Sequence, residues 1–205
     1  MLRSLLAAIN LRFFWEFNAG RFGRETWQNR IFPQHRWLLK QIVKFRPGSI
    51  LEAGCGFGRN LNWLIKQGVK QEILTGVDFS ARLLFQAQLP DSVKLIQANV
   101  LNLPFSANHF DLVFTHGLLM HLSPRNLTPA FKELFRVTKK YLIIIEEVRR
   151  RPRQLNYFTW AHDYDKIIAA LPVRILTRKI GKYLLIWYCV KKLSMPTGAS
   201  LIRKN

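Results

Sequence analysis

The stretch Glu52-Ala53-Gly54-Cys55-Gly56-Phe57-Gly58 follows an apolar run and precedes a helical pattern, which is the setting of a nucleotide-binding turn. Glycine lets the backbone approach a ligand closely, and the helix that follows presents free N–H groups at its start. A second apolar run, Ile73-Leu74-Thr75-Gly76-Val77-Asp78, ends in an acid about 20 residues after the last glycine. A carboxylate there can accept both hydroxyls of a ribose, so the two motifs together predict an adenosine-type cofactor. The dinucleotide pattern places two residues between its second and third glycines. Here only Phe57 separates Gly56 from Gly58, which argues against NAD.

Such motifs work only where strands end together at one edge of a sheet. From residue 49 onward, short β-type runs alternate with helical patterns, the mark of a parallel sheet with crossover helices. Strands are expected at Ser49–Ala53, Ile73–Asp78, Val93–Gln97, Phe110–Thr115 and Tyr141–Glu147. Helices are expected at Asn60–Gln67, Ala81–Gln88, Leu127–Arg136 and Tyr164–Leu171. Two last β runs, Val173–Lys179 and Tyr183–Val190, are separated only by Ile180, Gly181 and Lys182. So short a connection holds no crossover helix, and this pair must be antiparallel.

With 205 residues, 49% of them hydrophobic, the chain can bury one sizeable core and is too short for two ordinary domains. Its 15 Phe and 6 Trp make a disulfide or structural metal unnecessary. The two cysteines, Cys55 and Cys189, show no metal-ligand spacing, so no metal is expected and a reducing, cytoplasmic compartment is. Residues 1–50 carry nine Lys/Arg against two acids, residues 51–148 ten against eight, and residues 149–205 thirteen against two. The near-neutral middle and basic flanks suit an anionic partner: a small anionic metabolite, a nucleic acid or a membrane. Arg149-Arg150-Arg151-Pro152-Arg153 lacks the interleaved aromatics on which bases could stack, which favours the small anion.

The first fifty residues hold Phe13, Phe14, Trp15, Phe17, Phe22, Trp27, Phe32 and Trp37. They are expected to form a helical cap over the sheet's carboxyl edge. No stretch reaches the ~18–20 apolar residues of a membrane-spanning helix, so the N-terminus reads as an amphipathic helix resting on the domain or on a membrane surface. The divisions expected are a cap or lid over 1–46, a core over 47–192 and a basic tail over 193–205.

The series Leu51–Gly58, Gly76-Val77-Asp78-Phe79-Ser80, Gln97-Ala98-Asn99-Val100-Leu101-Asn102-Leu103-Pro104-Phe105 and Phe110-Asp111-Leu112-Val113-Phe114 resembles, in order and spacing, the motifs of class I S-adenosylmethionine-dependent methyltransferases. The resemblance implies an α/β Rossmann-like fold: a seven-stranded, mostly parallel sheet with a C-terminal antiparallel hairpin and Tyr183–Val190 as the inserted strand. It implies S-adenosyl-L-methionine as cofactor, held at Glu52, Gly54, Cys55, Gly56, Gly58, Asn60, Asp78, Phe79, Asn99, Val100 and Thr115. The methionine moiety would lie near Glu52, Gly54 and Gly56, the ribose at Asp78, and the adenine between Phe79 and the 98–100 turn. The family usually has an acid where this chain has Asn99, whose amide oxygen can still accept a hydrogen bond.

Methyl transfer from a sulfonium is an in-line displacement, so alignment supplies much of the acceleration and a base is needed only for an acceptor proton of high pKa. Catalytic candidates are His116 and His121 after the fourth strand and Glu147 at the end of the fifth, with Glu146, His162 and Asp163 nearby. Adjacent strand residues face opposite sides, so only one of Glu146 and Glu147 can point into a given site. Thr115-His116-Gly117-Leu118 stands where enzymes that methylate exocyclic amines carry an Asn/Asp-Pro-Pro-Tyr/Phe segment, and no cysteine lies there for cytosine chemistry. A narrower likeness, in Phe14-Trp15, Gly20-Arg21-Phe22-Gly23, Asn29-Arg30 and Gly117–Pro124, resembles methylases associated with pseudaminic acid biosynthesis. It implies a sugar or sugar-nucleotide hydroxyl or amine as acceptor. The alternatives are an RNA methyltransferase, a lipid or quinone methyltransferase, and a catalytically idle cofactor-binding protein.

Overall fold

The computed structural model describes residues 13–21, 25, 28, 30–148, 153–156, 159–181 and 185–193. A first helix, α1, covers residues 13–21, and α2 (Pro33–Phe45) follows. Then come β1 (Ile50–Ala53), α3 (Arg59–Lys66), β2 (Leu74–Asp78), α4 (Ala81–Phe85), β3 (Lys94–Gln97), β4 (Phe110–His116), α5 (Pro124–Val137) and β5 (Thr138–Glu147). A short hairpin, β6 (Arg153–Asn156) and β7 (Thr159–Ala161), precedes α6 (Tyr164–Ala169), β8 (Val173–Ile180) and β9 (Leu185–Lys192).

The main sheet has seven strands in the order β3-β2-β1-β4-β5-β9-β8. Strands β1 to β5 run parallel, and β9 inserts antiparallel between β5 and β8. The expected sheet, the expected inserted strand and the expected antiparallel last pair are therefore all present. The order of strand addition reverses between β1 and β4, and an open α/β sheet forms its ligand crevice at the carboxyl ends of strands beside such a reversal.

Two apolar layers hold the sheet. On one face Leu127, Phe131 and Leu134 of α5 and Tyr164 and Ile168 of α6 pack on Leu51, Val113, Leu142 and Ile144. On the other, Leu38 and Ile42 of α2 and Leu61 and Leu64 of α3 pack on Ile50, Leu112, Phe114, Ile143 and Ile145. Central strands are buried on both faces, so every residue of β1 and β2 is buried, Glu52, Thr75 and Asp78 included.

The N-terminal segment does not behave as one cap. Helix α2 belongs to the core layer: Trp37 lies on Trp187 of β9 with ring centroids 5.6 Å apart, and Phe45 stacks on Tyr141 of β5 at 4.0 Å. Helix α1 instead reaches the carboxyl edge, where Glu16 accepts hydrogen bonds from the N–H groups of Ala81 and Arg82 at the start of α4. The β6–β7 hairpin was not expected, because its strands are too short to show a period. Arg149–Pro152, Phe22, Trp27, Tyr183 and residues 194–205 lie outside the described residues.

Candidate active site

Strand β1 ends at Ala53, and the chain turns at once through Gly54 and Gly56, whose φ angles are 75° and 55°. Both angles lie in the left-handed region that favours glycine. At Gly54 the need is also steric, since a Cβ would sit 2.8–3.0 Å from the Leu118 side chain. At Gly56 a Cβ would meet only Leu83 Cδ1 at 4.0 Å, so that edge of the turn faces open space. Gly58 begins α3 at its N-cap, with φ 79°.

Asp78, at the end of β2, ties the turn to the neighbouring strand. Its Oδ2 accepts from Gly56 N at 2.8 Å and its Oδ1 from Ser80 N at 2.9 Å. A carboxylate has about four lone-pair positions, so each oxygen keeps capacity for a ligand hydroxyl. Burial raises the Asp78 pKa and the backbone N–H groups oppose that rise.

Glu52 is fully buried beneath the turn, where Asn60 Nδ2 donates to its Oε1 at 2.6 Å. Its Oε2 and Asn60 Oδ1 have no hydrogen-bond partner among the described residues. Burial pushes the Glu52 carboxyl up to about 8, against the Asn60 hydrogen bond, which lowers it. Cys55 is buried, its Sγ near Gly56 O at 3.7 Å and its thiol pushed up by burial. It packs toward β2, since a Cβ at Gly76 would lie 2.7 Å from its sulfur.

The third strand's turn carries Asn99, whose Oδ1 accepts from Leu101 N at 3.0 Å, and buried Val100. Phe79 is half-buried across from it, and its carbonyl accepts from Gln97 Nε2 at 3.0 Å. Thr115 is buried in β4 opposite Ala53 and Ile144.

On the acceptor side, β4 delivers His116, and a residue that sequence reasoning missed meets it. His35 of α2 lies against His116 with ring centroids 4.9 Å apart. His35 Nδ1 accepts from Phe32 N at 3.2 Å, which leaves the ring proton on Nε2. The Asn60 amide is beside this ring, yet His35 Nε2 and Asn60 Oδ1 complete no hydrogen bond. Burial, then the Arg59 charge, lowers His35 to about 4, while burial, then His35, lowers His116 to about 3. Both rings are therefore neutral near pH 7.

Of the paired glutamates, Glu146 turns toward this loop and Glu147 takes the opposite side, half-buried. Glu146 accepts from Leu118 N and Met120 N, each at 3.1 Å, and so fixes the segment after β4. Its burial raises it to about 7 against these hydrogen bonds. His121, in the same segment, meets Trp15 of α1 edge-on at 4.9 Å. His162 Nε2 bonds Leu122 O at 3.0 Å and Asp163 caps α6, so both serve the framework.

These shifts predict how stability follows pH. Glu52 and Glu146 bind protons in the folded chain that they have lost in the unfolded one above about pH 4.5, whereas His35 and His116 bind fewer than unfolded histidine below about 6.5. The two effects oppose each other below pH 6.5. Above the histidine range, up to about pH 8, the glutamates dominate and stability falls as pH rises. The cofactor-free chain is expected to lose about 2 kcal/mol across that interval, read from urea midpoints at its two ends. A midpoint that does not fall would mean both carboxylates are already ionised at the lower pH.

A methyltransferase-domain family model matches residues 50–141. Over 166 residues the chain is 30% identical to a Nostoc 2-phytyl-1,4-naphtoquinone methyltransferase, covering 74% of this chain and 70% of that protein. It is 32% identical over 118 residues to an uncharacterised Methanocaldococcus jannaschii protein, and spans about half that protein's length, with 56% of this chain and 48% of the other covered. The fold matches the crystal structure of Synechocystis magnesium protoporphyrin IX methyltransferase with bound S-adenosylmethionine, at a TM-score of 0.71 and 15% identity, covering 91% and 97% of the two chains.

Proposed function

The chain belongs to the class I S-adenosylmethionine-dependent methyltransferases, and on that premise we propose that it transfers the methyl group of S-adenosylmethionine to a small, ring-bearing acceptor bound under helix α1. The observation that carries the cofactor half is the joined turn, in which Gly56 N and Ser80 N orient the Asp78 carboxylate beside open space. The donor set suits the cofactor piece by piece. Asp78 has acceptor capacity left for ribose hydroxyls, and Glu52 Oε2 and Asn60 Oδ1 are buried polar atoms without partners among the described residues, beneath the methionine end. Phe79 and Val100 supply flat, apolar contact for adenine, with Asn99 Oδ1 sharing its lone pairs between Leu101 N and the base.

When bound, the cofactor supplies a methyl group activated on a sulfonium. The chain's own part is to align an acceptor and, where it carries a proton, to take that proton. His116 is neutral and its ring can accept a hydrogen bond from an acceptor hydroxyl, although the burial that lowers it to about 3 makes it a weak base, and His121 lies under Trp15 on the acceptor side. Glu147, the glutamate expected at the site, faces the opposite side of β5 from the loop after β4 and takes no part in that step. Glu146, locked to two backbone N–H groups, acts through the loop it holds.

For the acceptor, the segment after β4 carries Leu118, Met120 and His121, with Trp15 lying on it. Rings and thioethers favour a flat, partly apolar molecule, such as the naphthoquinone and porphyrin acceptors of the relatives, over a polar sugar. A tritiated-methyl transfer assay on fractionated cell extract tests this. Label is expected in low-molecular-weight material that partitions into organic solvent. Label in polar sugar fractions would support the narrower resemblance instead, label in precipitated RNA would make the basic flanks a nucleic-acid surface, and cofactor binding without any label would mark an idle protein.

A further inference from the structure

Helix α1 has two faces. Trp15 meets His121, Glu16 holds the start of α4, and Ala19 is fully buried. Opposite them Phe13, Phe17 and Arg21 recur every fourth residue and form one outward stripe. Phe13 is 70% exposed and Phe17 82% exposed. The Arg21 side chain is 84% exposed and pairs with Glu25 at 3.4 Å. Large aromatic side chains dominate cores, so two adjacent ones left in water on a nine-residue helix call for an occupant.

We propose that the outward stripe of α1 docks this enzyme on an anionic membrane surface, with Phe13 and Phe17 entering the headgroup boundary and Arg21 at the level of the lipid phosphates. Charge complementarity selects this occupant: residues 1–30, which include α1 and not α2, carry five Lys/Arg against two acids. An interfacial helix also needs no matching pocket, unlike a protein partner. Aromatic rings with cations behind them are the composition such helices use.

Docking has a consequence for the site. The same helix that would rest on the bilayer carries Trp15 on its inner face, so the acceptor crevice would open next to the membrane. That consequence rests on the function proposed above and deepens it, naming the acceptor class as an amphiphile held in the bilayer. The docking itself does not depend on it.

The test is co-sedimentation of the full chain with vesicles of two parts phosphatidylcholine to one part phosphatidylglycerol, against vesicles of phosphatidylcholine alone. Binding is expected to the anionic vesicles only and to weaken with added salt. The double substitution Phe13→Ser with Phe17→Ser is expected to lower the partition by about tenfold or more while leaving S-adenosylmethionine binding intact, which also shows that the variant is folded. Either of two results overturns the proposal: no anionic-vesicle binding by a chain that still binds cofactor, or equal binding by the double variant. Binding to a single-stranded RNA probe in place of vesicles, with a steep salt slope, overturns it as well and assigns the stripe to base stacking. Failure of methyl transfer with vesicle binding retained would count against the function and leave the docking standing.

Discussion

Replacing Gly56 with valine is expected to abolish S-adenosylmethionine binding while the chain stays folded. A Cβ at this position meets only Leu83 Cδ1, at 4.0 Å, so the side chain starts into the open edge proposed for the cofactor. Backbone strain at φ 55° costs about 1–2 kcal/mol, within the 5–15 kcal/mol that holds an ordinary domain. The steric conflict falls on the ligand and should cost at least about 3 kcal/mol, more than a hundredfold in affinity. Calorimetric titration with S-adenosylmethionine, beside a thermal melt, separates the two effects. Gly54 is the less informative site, because a Cβ there strikes Leu118 and would disturb the acceptor loop too. Asp78→Ala should lose less, about 1.5–3 kcal/mol, from the absent charge-assisted hydrogen bonds. Wild-type affinity in the valine variant would place the cofactor elsewhere.

Deleting residues 1–30 is expected to spare cofactor binding and to lower methyl transfer on the order of a hundredfold. The cut leaves α2, which is part of the core, and removes α1 with Trp15 and Glu16. His121 then loses its ring neighbour and the acceptor loses its roof, while Asp78, Glu52 and the glycine turn keep every hydrogen bond described for them. Misplacement of a reacting group by about 1 Å is enough for a loss of that size. Single-turnover measurement with saturating cofactor reads it directly. Unchanged turnover would mean that α1 is not a lid.

Local chemistry made much of this legible. The glycine turn and Asp78 follow from spacing alone, because close backbone approach demands glycine and the acid must stand at the end of the next strand. The antiparallel pairing of β8 and β9 followed from three residues, Ile180-Gly181-Lys182, too few for any crossover, whereas the insertion of β9 beside β5 was implied only by the family resemblance. Helix α5 was visible in Leu127, Phe131 and Leu134, which the structure buries, although the helix extends to Pro124 and Val137 beyond its apolar stripe.

The rest needed the fold. In Ile143-Ile144-Ile145-Glu146-Glu147 every position of a doubly buried strand is apolar or acidic, so no alternation tells which glutamate faces the acceptor loop. Only the pairing of β5 with β4 and β9 decided for Glu146. His35 carries no motif. It comes to His116 because α2 packs on the sheet with its first turn at the carboxyl edge, a contact across 81 residues that no period records. The N-terminal aromatics read as one cap, yet Trp37 packs on Trp187 while Trp15 reaches His121. Composition fixes how much apolar surface a segment must bury, and only the docked helices decide against what.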